Sequence, residues 1–446
     1  MNRKKKLPVV RVADREETAR VAAGLPAEAT IALADIAGTI REGFLAFCCS
    51  AGLLAVEQVM LAEITTRVGP KGRHDQDRVA TRNGTAPGSV VLGGRMVPVR
   101  RPRATRTEGG ELHLDSYGVF ASTDLLTQVA MERMLAGVAT RRHVLVNEPI
   151  GAELESVARG DSKSAVSRRF KHASEAALAE LIGRDLSELD VAALMIDGNM
   201  FAECCCVAAQ VITTDGTKVP VGLWDGDTEN GVVVKDLLAD LVARGLRCEA
   251  GILVVIDGGK ALAAGVKRVF GTRAVIQRCV IHKRRDVAGY LDPILGRAID
   301  RQLARAFNDV DWQRGLRVAK GIATQLEAKH PSAAASLREG LEDMFTVRRL
   351  GVPDRLARSM SCTNAIESMI SVVRSLTDRV KTWRDTTMVR RWVGVGMLEA
   401  ERSFRRVKGC KDMPTLVTAV RREVTQRVTD NKNTNPATPK AYDQAA

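Results

Sequence analysis

Between residues 190 and 281, short apolar runs alternate with helical segments in a fixed order: three strands, a helix, a strand, a helix and a strand. The first three runs end near Trp224 and are joined by tight turns, which predicts an antiparallel meander. Helices are predicted over 232–246 and 260–270, and the last strand over 274–281. The sequence therefore predicts an α/β domain built on a mixed sheet.

This order of elements is that of the ribonuclease H fold, in which the first and fourth strands lie side by side at the centre of the sheet. Asp197 ends the first of these runs, and Asp257 ends the fourth. The fold would make these two aspartates neighbours although they are far apart in the chain. A third acid, Glu367, lies one turn into a helix predicted to begin at Asn364. The three acids are therefore candidates for a single site at the sheet edge.

Converging carboxylates provide the oxygen ligands that Mg²⁺ or Mn²⁺ requires, with water and phosphate completing the coordination. Two such ions about 4 Å apart stabilise both the attacking and the leaving oxygen of an in-line phosphoryl displacement. We expect Asp197, Asp257 and Glu367 to be catalytic and to bind two ions. Each acid also has a purely structural explanation: a turn at Asp197-Gly198, a turn and helix cap at Asp257, and a capping box from Asn364 to Glu367.

The balance of charge favours a polyanionic partner. The chain has 67 Lys and Arg against 53 Asp and Glu, a net charge of +14, and neutralising phosphates releases counterions. Aromatic residues make up 4% of the chain, which argues against single-strand binding by base stacking. Nine cysteines without a pairing pattern indicate a reducing compartment. With no apolar segment of signal or membrane-span length after the basic start, we expect a cytoplasmic, nucleoid-associated protein without a membrane partner.

The N-terminal region is predicted to be mainly helical and to bind DNA. Two amphipathic helices are predicted over 28–67, followed by a basic stretch rich in glycine and proline over 69–88. A hairpin with a Gly93-Gly94 turn follows over 89–99. Its second strand continues into basic residues that either contact phosphates or form a solvated surface. These residues are Arg100, Arg101 and Arg103.

The segment 160–170 resembles the recognition helix of a helix-turn-helix motif, with an upstream helix over 125–135 to pack on. It places small polar and basic side chains on one face, with Val166 and Phe170 on the other. An ordinary capped surface helix explains the same pattern. The candidate DNA contacts are Lys163, Arg168 and Arg169.

Cys279 and His282 have the spacing of half a zinc site, but no second pair follows, so a structural zinc is not expected. His282 is instead expected at the end of the last strand, facing the cleft, with Lys283, Arg284 and Arg285 as phosphate contacts. A structural pair at the strand end is the alternative. Trp312 is either a core anchor or a wedge that stacks on an unpaired base.

The long separation of Asp257 from Glu367 exceeds what such a core needs, and the intervening segment has only helical periodicity. The sheet is therefore expected to be interrupted by an all-helical insertion, and the segment from Asp430 to be a disordered tail. The expected regions are 1–122 (helices and basic hairpin, DNA binding), 123–188 (helix-turn-helix-like), 189–285 (first part of the core), 286–355 (insertion), 356–410 (last core helices) and 411–446 (helix and tail).

Four motifs in this order resemble the mutator-type family of bacterial insertion-sequence transposases, members of the DDE superfamily. The motifs are Ile196-Asp197-Gly198, Asp257-Gly258-Gly259-Lys260-Ala261-Leu262, Gln277 to Lys283, and Thr363-Asn364-Ala365-Ile366-Glu367. The resemblance implies a ribonuclease H-like catalytic domain with a helical insertion, a metal-binding triad of the three acids, and a Cys-x-x-His signature. It also implies recognition of terminal inverted repeats and Mg²⁺-dependent strand cleavage and transfer into target DNA, through a circular intermediate.

Holding two element ends together requires a homodimer or a larger assembly on double-stranded DNA. Two other functions remain open from the sequence. One is a catalytically silent DNA-binding regulator derived from such an enzyme. The other is a structure-specific nuclease of the same fold, such as a junction resolvase.

Overall fold

The chain divides into two units, residues 1–173 and 174–446. The computed structural model describes residues 44–73, 79–226 and 231–434. The helix predicted to start near residue 28 lies partly outside the described residues, and the C-terminal segment 435–446 lies wholly outside them.

In the first unit, one continuous helix spans the position at which the sequence predicted a boundary between two helices. Helix α1 runs without interruption over Phe44–Val68. The sequence offers Gly52 as a breaker, but a single glycine costs only about 1 kcal/mol inside a helix and no proline interrupts the segment. The apolar side chains of Met60 and Ile64 are buried in two clusters shared with the β-hairpin that follows.

The hairpin is confirmed, and it is longer than predicted. Strand β1 (Ala80–Leu92) pairs with β2 (Arg95–Arg106) in antiparallel register. Gly93 and Gly94 form the turn with φ values of +55° and +72°, a conformation that glycine adopts without strain. The second half of the basic stretch 69–88 is therefore part of β1, because pairing with β2 overrides the weak strand preference of its glycine and proline residues.

Helix α1 also corrects the expectation that no segment had the length and composition of a membrane span. The segment Ala46–Val68 is long and apolar enough by these two criteria, with a mean hydropathy of 1.5. One such helix is weak support for a membrane location, because the core helix of a soluble protein meets the same criteria.

Four further helices follow the hairpin: α2 (Asp115–Ala121), α3 (Asp124–Leu135), α4 (Ala152–Val157) and α5 (Lys163–Gly183). In α5, Val166 and Phe170 are buried, as the pattern predicted. The connection between α3 and α5 runs from 136 to 162 and contains α4, so it is much longer than the tight turn of a helix-turn-helix motif.

The second unit is built on a five-stranded sheet with the order β5-β4-β3-β6-β7. Strands β3, β4 and β5 are antiparallel, which confirms the meander, and β6 and β7 continue the sheet parallel to β3. The strand bounds are Val191–Phe201 for β3, Cys204–Thr213 for β4, Lys218–Gly226 for β5, Ile252–Ile256 for β6 and Ala274–Arg278 for β7. The first and fourth strands are neighbours, as the sequence predicted.

Alternation along the strands divides the sheet into two buried faces. Leu194, Ile196 and Val254 pack against α6 (Gly231–Ala243) and α7 (Lys260–Phe270). Met195 and Val255 pack on the opposite face, against helices from the C-terminal part of the chain. Those helices are α13 (Asp354–Met360), α14 (Asn364–Thr377), α15 (Thr386–Arg402) and α16 (Met413–Thr434).

Between β7 and α13, the structure contains helices and no strand. They are α8 (Val280–Gly289), α9 (Pro293–Phe307), α10 (Trp312–Glu327), α11 (Pro331–Arg338) and α12 (Thr346–Arg349). Helices α8 to α11 share one apolar core with Met344 and Phe345.

Two element ends differ from the prediction. The last strand ends at Arg278, so His282 lies in the first turns of α8 and not at a strand end. The apolar run Val280-Ile281 fits either element, and the bond from the Val280 amide to the carbonyl of Ser361 diverts the chain from the sheet. Helix α16 extends to Thr434, beyond the predicted start of the disordered tail at Asp430.

The completely buried side chain of Gln277 joins the sheet to the end of the insertion. Its Nε2 donates to the carbonyls of Met344 and Arg278 at 2.9 and 2.7 Å. Its Oε1 accepts from the amide of Val347 at 2.9 Å. A buried amide side chain thus satisfies backbone groups of the segment in which the chain returns to the sheet.

We expect Gln277→Leu to lower the free energy of unfolding by about 2 to 4 kcal/mol, because it leaves the Met344 carbonyl and the Val347 amide buried without partners. Urea denaturation measures this loss. The control is Gln302→Leu at an exposed helical position, for which a change within about 0.5 kcal/mol is expected. Equal losses in the two variants would contradict the assigned role.

Candidate active site

The site begins with a row of residues just beyond the point where the parallel pairing of β3 with β6, and of β6 with β7, ends. Ile196 pairs with Ile256, and Ile256 pairs with Arg278. The residues that follow these three are Asp197, Asp257 and Cys279. Neighbouring strands lie about 4.8 Å apart, and alternation directs all three side chains toward the face covered by α14. The two aspartates are thus brought together as the sequence predicted.

Asp197 lies inside a strand and not at a turn. Strand β3 continues to Phe201, and Asp197 pairs with Ala208 on β4, which rules out the strand-to-turn explanation. Its carboxylate is 6% exposed and accepts a hydrogen bond from Asn199 Nδ2 at 2.8 Å. Asn199 Oδ1 in turn accepts from Arg374 at 2.8 Å. A buried carboxylate with this single amide partner carries an incompletely compensated charge.

Asp257 retains its structural explanation alongside the proposed chemical role. Its Oδ1 accepts a hydrogen bond from the amide of Gly259 at 2.7 Å, which shapes the turn that leads into α7. Oδ2 is not used in this turn. The turn therefore orients the carboxylate beside Asp197 and leaves an oxygen for another ligand.

The carboxylate of Glu367 is positioned by a contact with Thr363 and not by a capping box. Thr363 precedes α14, its Oγ1 lies 2.7 Å from Glu367 Oε1, and its amide donates to Cys279 Sγ at 3.4 Å. Because Thr363 is the N-cap residue, Glu367 is the fourth residue of the helix and not the third, which is the position that a capping box requires. Two cations flank the carboxylate at 3.9 Å: His282 Nε2 and the exposed guanidinium of Arg285.

Cys279, His282 and Thr363 form one hydrogen-bonded group beneath Glu367. The Thr363 hydroxyl lies 3.3 Å from both Cys279 Sγ and His282 Nδ1. A hydroxyl has one proton, and the shortest contact assigns it to Glu367; His282 Nδ1–H then donates to the hydroxyl oxygen. The Cys279 amide also donates to the carbonyl of Ile256 at 2.7 Å. The strand ends are thereby tied to the start of α14.

The electrostatics of the site follow from burial and from like charges. Burial, together with the negative charges of Asp257 and Glu367, outweighs the bond from Asn199 and raises the pKa of Asp197 to about 6. The hydrogen bond to Cys279, together with the negative charges of Glu367 and Asp197, raises the pKa of His282 to about 9. Burial alone would raise the pKa of the Cys279 thiol, but bonds from His282 and Thr363 outweigh it and hold that pKa below its usual range.

The donor atoms fit a hard divalent cation. Asp197, Asp257 and Glu367 offer carboxylate oxygens, and a bound cation would relieve the unfavourable charge at the buried Asp197. In the described part of the chain, Cys279, His282 and Glu367 also place one ligand atom each within 4.8 Å of one another. Glu367 thus joins Cys279 and His282, a ligand that their spacing in the sequence did not indicate.

The remaining candidates near the site lie in different environments. Lys283 is buried, and its Nζ donates to the Ser336 carbonyl at 2.8 Å, so it does not face the surface as expected of a phosphate contact. Arg284 is bound to Asp300 through two bonds of 2.9 and 2.7 Å. Trp312 is partly buried against the core of the insertion, which agrees with the core-anchor interpretation.

The basic residues of the first unit that were predicted to contact DNA differ in their environments. Arg101 and Arg103 lie 3.0 and 2.9 Å from Glu111, and Arg100 bonds to Thr85. In α5, Lys163 and Arg168 are exposed, whereas Arg169 donates to the carbonyl of Gly160 and burial lowers its pKa. Their contact with DNA stays a prediction.

Sequence reasoning missed Asn199, Thr363 and Arg374. Asn199 had a usable signal, because it lies two positions after Asp197 in a strand and so shares its face. Thr363 and Arg374 had none, since their partners are distant in the chain.

Comparison with known proteins identifies the family. The family model "Transposase, Mutator family" matches residues 44–407, which is most of the chain and includes every site residue described above. The chain belongs to this family.

Three curated relatives are similar to parts of the chain. The transposase of insertion sequence element IS6120 from Mycolicibacterium smegmatis is 28% identical over 44% of this chain and 62% of its own length. The probable transposase of an ISRM3-like element from Sinorhizobium fredii is 26% identical over 37% of this chain and 40% of its own length. The transposase of element IST2 from Acidithiobacillus ferrooxidans is 27% identical over 38% and 56%. The chain thus spans about half the length of these relatives, and the matches do not favour the regulator or the nuclease.

We expect Asp197 to destabilise the metal-free protein as the pH rises. The pKa of Asp197 is raised from 3.8 to about 6 in the folded state. Its contribution to the free energy of unfolding is therefore fully present below the unfolded pKa and is lost as the pH rises through the folded pKa of about 6. The total loss is about 3 kcal/mol. Between pH 4.5 and 8, the difference in unfolding free energy between the wild type and Asp197→Asn should change by about 2 kcal/mol in favour of the variant. Urea denaturation in EDTA measures it; parallel pH profiles would contradict the assignment.

Proposed function

We propose that this chain is a DNA transposase that binds the terminal inverted repeats of an insertion sequence and catalyses metal-dependent strand cleavage and transfer. The observation that carries the proposal is the convergence of Asp197, Asp257 and Glu367 on one face of the sheet edge. Membership of the transposase family supports it, as does the net charge of +14. The strand order and directions support the view that the sheet is a ribonuclease H-like core interrupted by a helical insertion.

The three carboxylates would hold two Mg²⁺ or Mn²⁺ ions, which when bound supply charge stabilisation to the attacking and leaving oxygens. In the first step, a water oxygen bonds to phosphorus and the bond from phosphorus to the 3′ oxygen breaks, which frees a 3′-OH. In the second step, this hydroxyl bonds to a target phosphorus and displaces another 3′ oxygen; its proton passes to solvent, and the displaced oxygen takes up a proton to become the new 3′-OH. No covalent enzyme intermediate is needed.

The other side chains of the site position the carboxylates and balance their charge. Asn199 orients Asp197, the Gly259 amide orients Asp257, and the Thr363 hydroxyl orients Glu367. With a pKa raised to about 9, His282 is a cation at neutral pH, and together with the exposed Arg285 it places positive charge where a phosphodiester would lie. The partners implied are double-stranded element ends and target DNA, bound by a homodimer or larger assembly in the cytoplasm.

We expect Asp257→Asn to reduce Mg²⁺-dependent cleavage of end-bearing DNA by at least about 100-fold, or about 2.7 kcal/mol of activation free energy. Asparagine keeps an Oδ1 for the Gly259 amide, so the turn and the fold should persist. The assay follows nicking of labelled duplex, with DNA affinity and thermal unfolding measured in parallel.

The control is Asp236→Asn, a partly exposed acid on α6 that packs on the other face of the sheet. This variant should cleave like the wild type. Retained cleavage by Asp257→Asn, under conditions where EDTA abolishes the wild-type reaction, would disprove the assigned role.

We expect Thr363→Val to displace Glu367 and to weaken metal binding without unfolding the protein. Valine has the shape of threonine but removes the bond to Glu367 Oε1, so the midpoint of Mn²⁺ binding should rise about 10-fold or more. Electron paramagnetic resonance of free Mn²⁺ measures this binding independently of catalysis. Thr363→Ser should restore it.

Thr377→Val is the matched control, because Thr377 at the other end of α14 is also buried and its hydroxyl donates to the carbonyl of Arg374, away from the carboxylates. It should bind Mn²⁺ like the wild type. Equal weakening by both valine variants would mean that the effect comes from helix stability and not from the position of Glu367.

A further inference from the structure

A groove of about 730 Å³ lies beside α14, outside the carboxylate site. Among its described lining residues, Asp354 is the one acid, and positive side chains predominate. The cations that line it are Lys218, Arg355, Arg358, Arg405, Arg406 and Lys408. This concentration of charge was not anticipated from the sequence, because its members come from β5, α13 and the segment after α15.

Most of this positive charge is not neutralised within the protein. Asp354 binds Arg358 at 2.6 Å and is shared with Arg348 at 2.8 Å. Arg406 forms an exposed pair with Asp215 at 3.1 Å, and such exposed pairs contribute little and exchange readily with other anions.

Three other cations of the groove, Arg355, Arg405 and Lys408, are exposed and have no ion pair among the described residues. Lys218 lies 5.0 Å from the ring centroid of Phe404, which holds its ammonium group at the groove. A surface with this excess of unpaired cations is complementary to a polyanion.

One helix connects the groove to the candidate active site. Asn364, Ala365 and Ser368 of α14 line the groove, while Glu367 on the same turn faces the carboxylates. A helix with its side chains is about 10 to 12 Å across, and each strand of B-DNA carries one phosphate per about 3.4 Å of helix axis. A DNA strand with a phosphate at the carboxylates therefore reaches the groove within about three nucleotides.

We infer that this groove binds the sugar–phosphate backbone of duplex DNA a few nucleotides from the phosphate that reacts. The inference rests on the proposed function and assigns a DNA-binding surface to residues that no sequence motif marked. The contact is with phosphates and is independent of base sequence, because the groove is lined by flexible, exposed Arg and Lys side chains. Its role is to hold the reacting strand in line with the carboxylates.

The test is a triple variant, Arg355→Gln, Arg405→Gln and Lys408→Gln, studied by fluorescence anisotropy with duplex DNA in metal-free buffer over a range of salt concentrations. Losing three phosphate contacts should reduce the magnitude of the slope of log K against log salt by about 2 to 3, and weaken binding on the order of 10- to 100-fold at 0.1 M salt. The control removes two Arg and one Lys from the region of the opposite sheet face: Arg247→Gln, Lys267→Gln and Arg268→Gln.

The control should change the slope by less than 1. A charge-retaining variant, Arg355→Lys with Arg405→Lys, should keep the wild-type slope, because counterion release depends on charge. A slope in the groove triple variant equal to that of the control would overturn the inference. The inference would also be overturned if the groove triple variant bound DNA like the wild type but no longer bound poly-glutamate, because that result would identify an acidic protein segment as the ligand.

The metal-free binding assay separates this inference from the proposed chemistry. A wild-type protein that never cleaves, but whose DNA affinity falls in the groove variant, would refute the chemistry and keep the groove. A wild-type protein that cleaves, with a groove variant that binds DNA normally, would refute the groove alone. Thermal unfolding of each variant confirms that the exposed substitutions leave the fold intact.

Discussion

The parallel pairing of β3 with β6, and of β6 with β7, is the constraint on which the site depends. It aligns Ile196, Ile256 and Arg278 across the sheet, so that Asp197, Asp257 and Cys279, which follow them in the chain, lie at the same level of the sheet. A shift of one residue in any strand would turn its side chain to the other face of the sheet. The bond from the Cys279 amide to the Ile256 carbonyl extends this register one step beyond the strands.

The contact between Cys279 and Thr363 joins the two ends of the helical insertion. The helices α8 to α12 separate β7 from the helix that carries Glu367, and they form a core of their own. Contacts of Thr363 with the Cys279 thiol, and of Ser361 with the Val280 amide, close this long excursion at its base. The position of the third carboxylate therefore depends on buried contacts between the segment before α14 and the residues that follow β7.

The sequence predicted the sheet well because its strands are short, apolar and bounded by clear turns. It also predicted the neighbouring aspartates, because the strand order determines which strands meet. It was wrong where local pattern is ambiguous: the apolar run Val280-Ile281 was assigned to a strand, and one helix, α1, was divided into two. Lys283 was expected at the surface from its charge alone, whereas the Ser336 carbonyl and the nearby Glu339 compensate its burial.

By itself, the sequence determined the order of strands and helices, the acids that follow the apolar runs of β3 and β6, and the excess of positive charge, because periodicity, turn residues and composition are local properties of the chain. The tertiary structure alone decided that Thr363 bonds to Glu367, that Asn199 joins Asp197 to Arg374, and that basic residues of three segments line one groove. These contacts join residues whose partners are set by packing across the sheet, and no spacing along the chain encodes them.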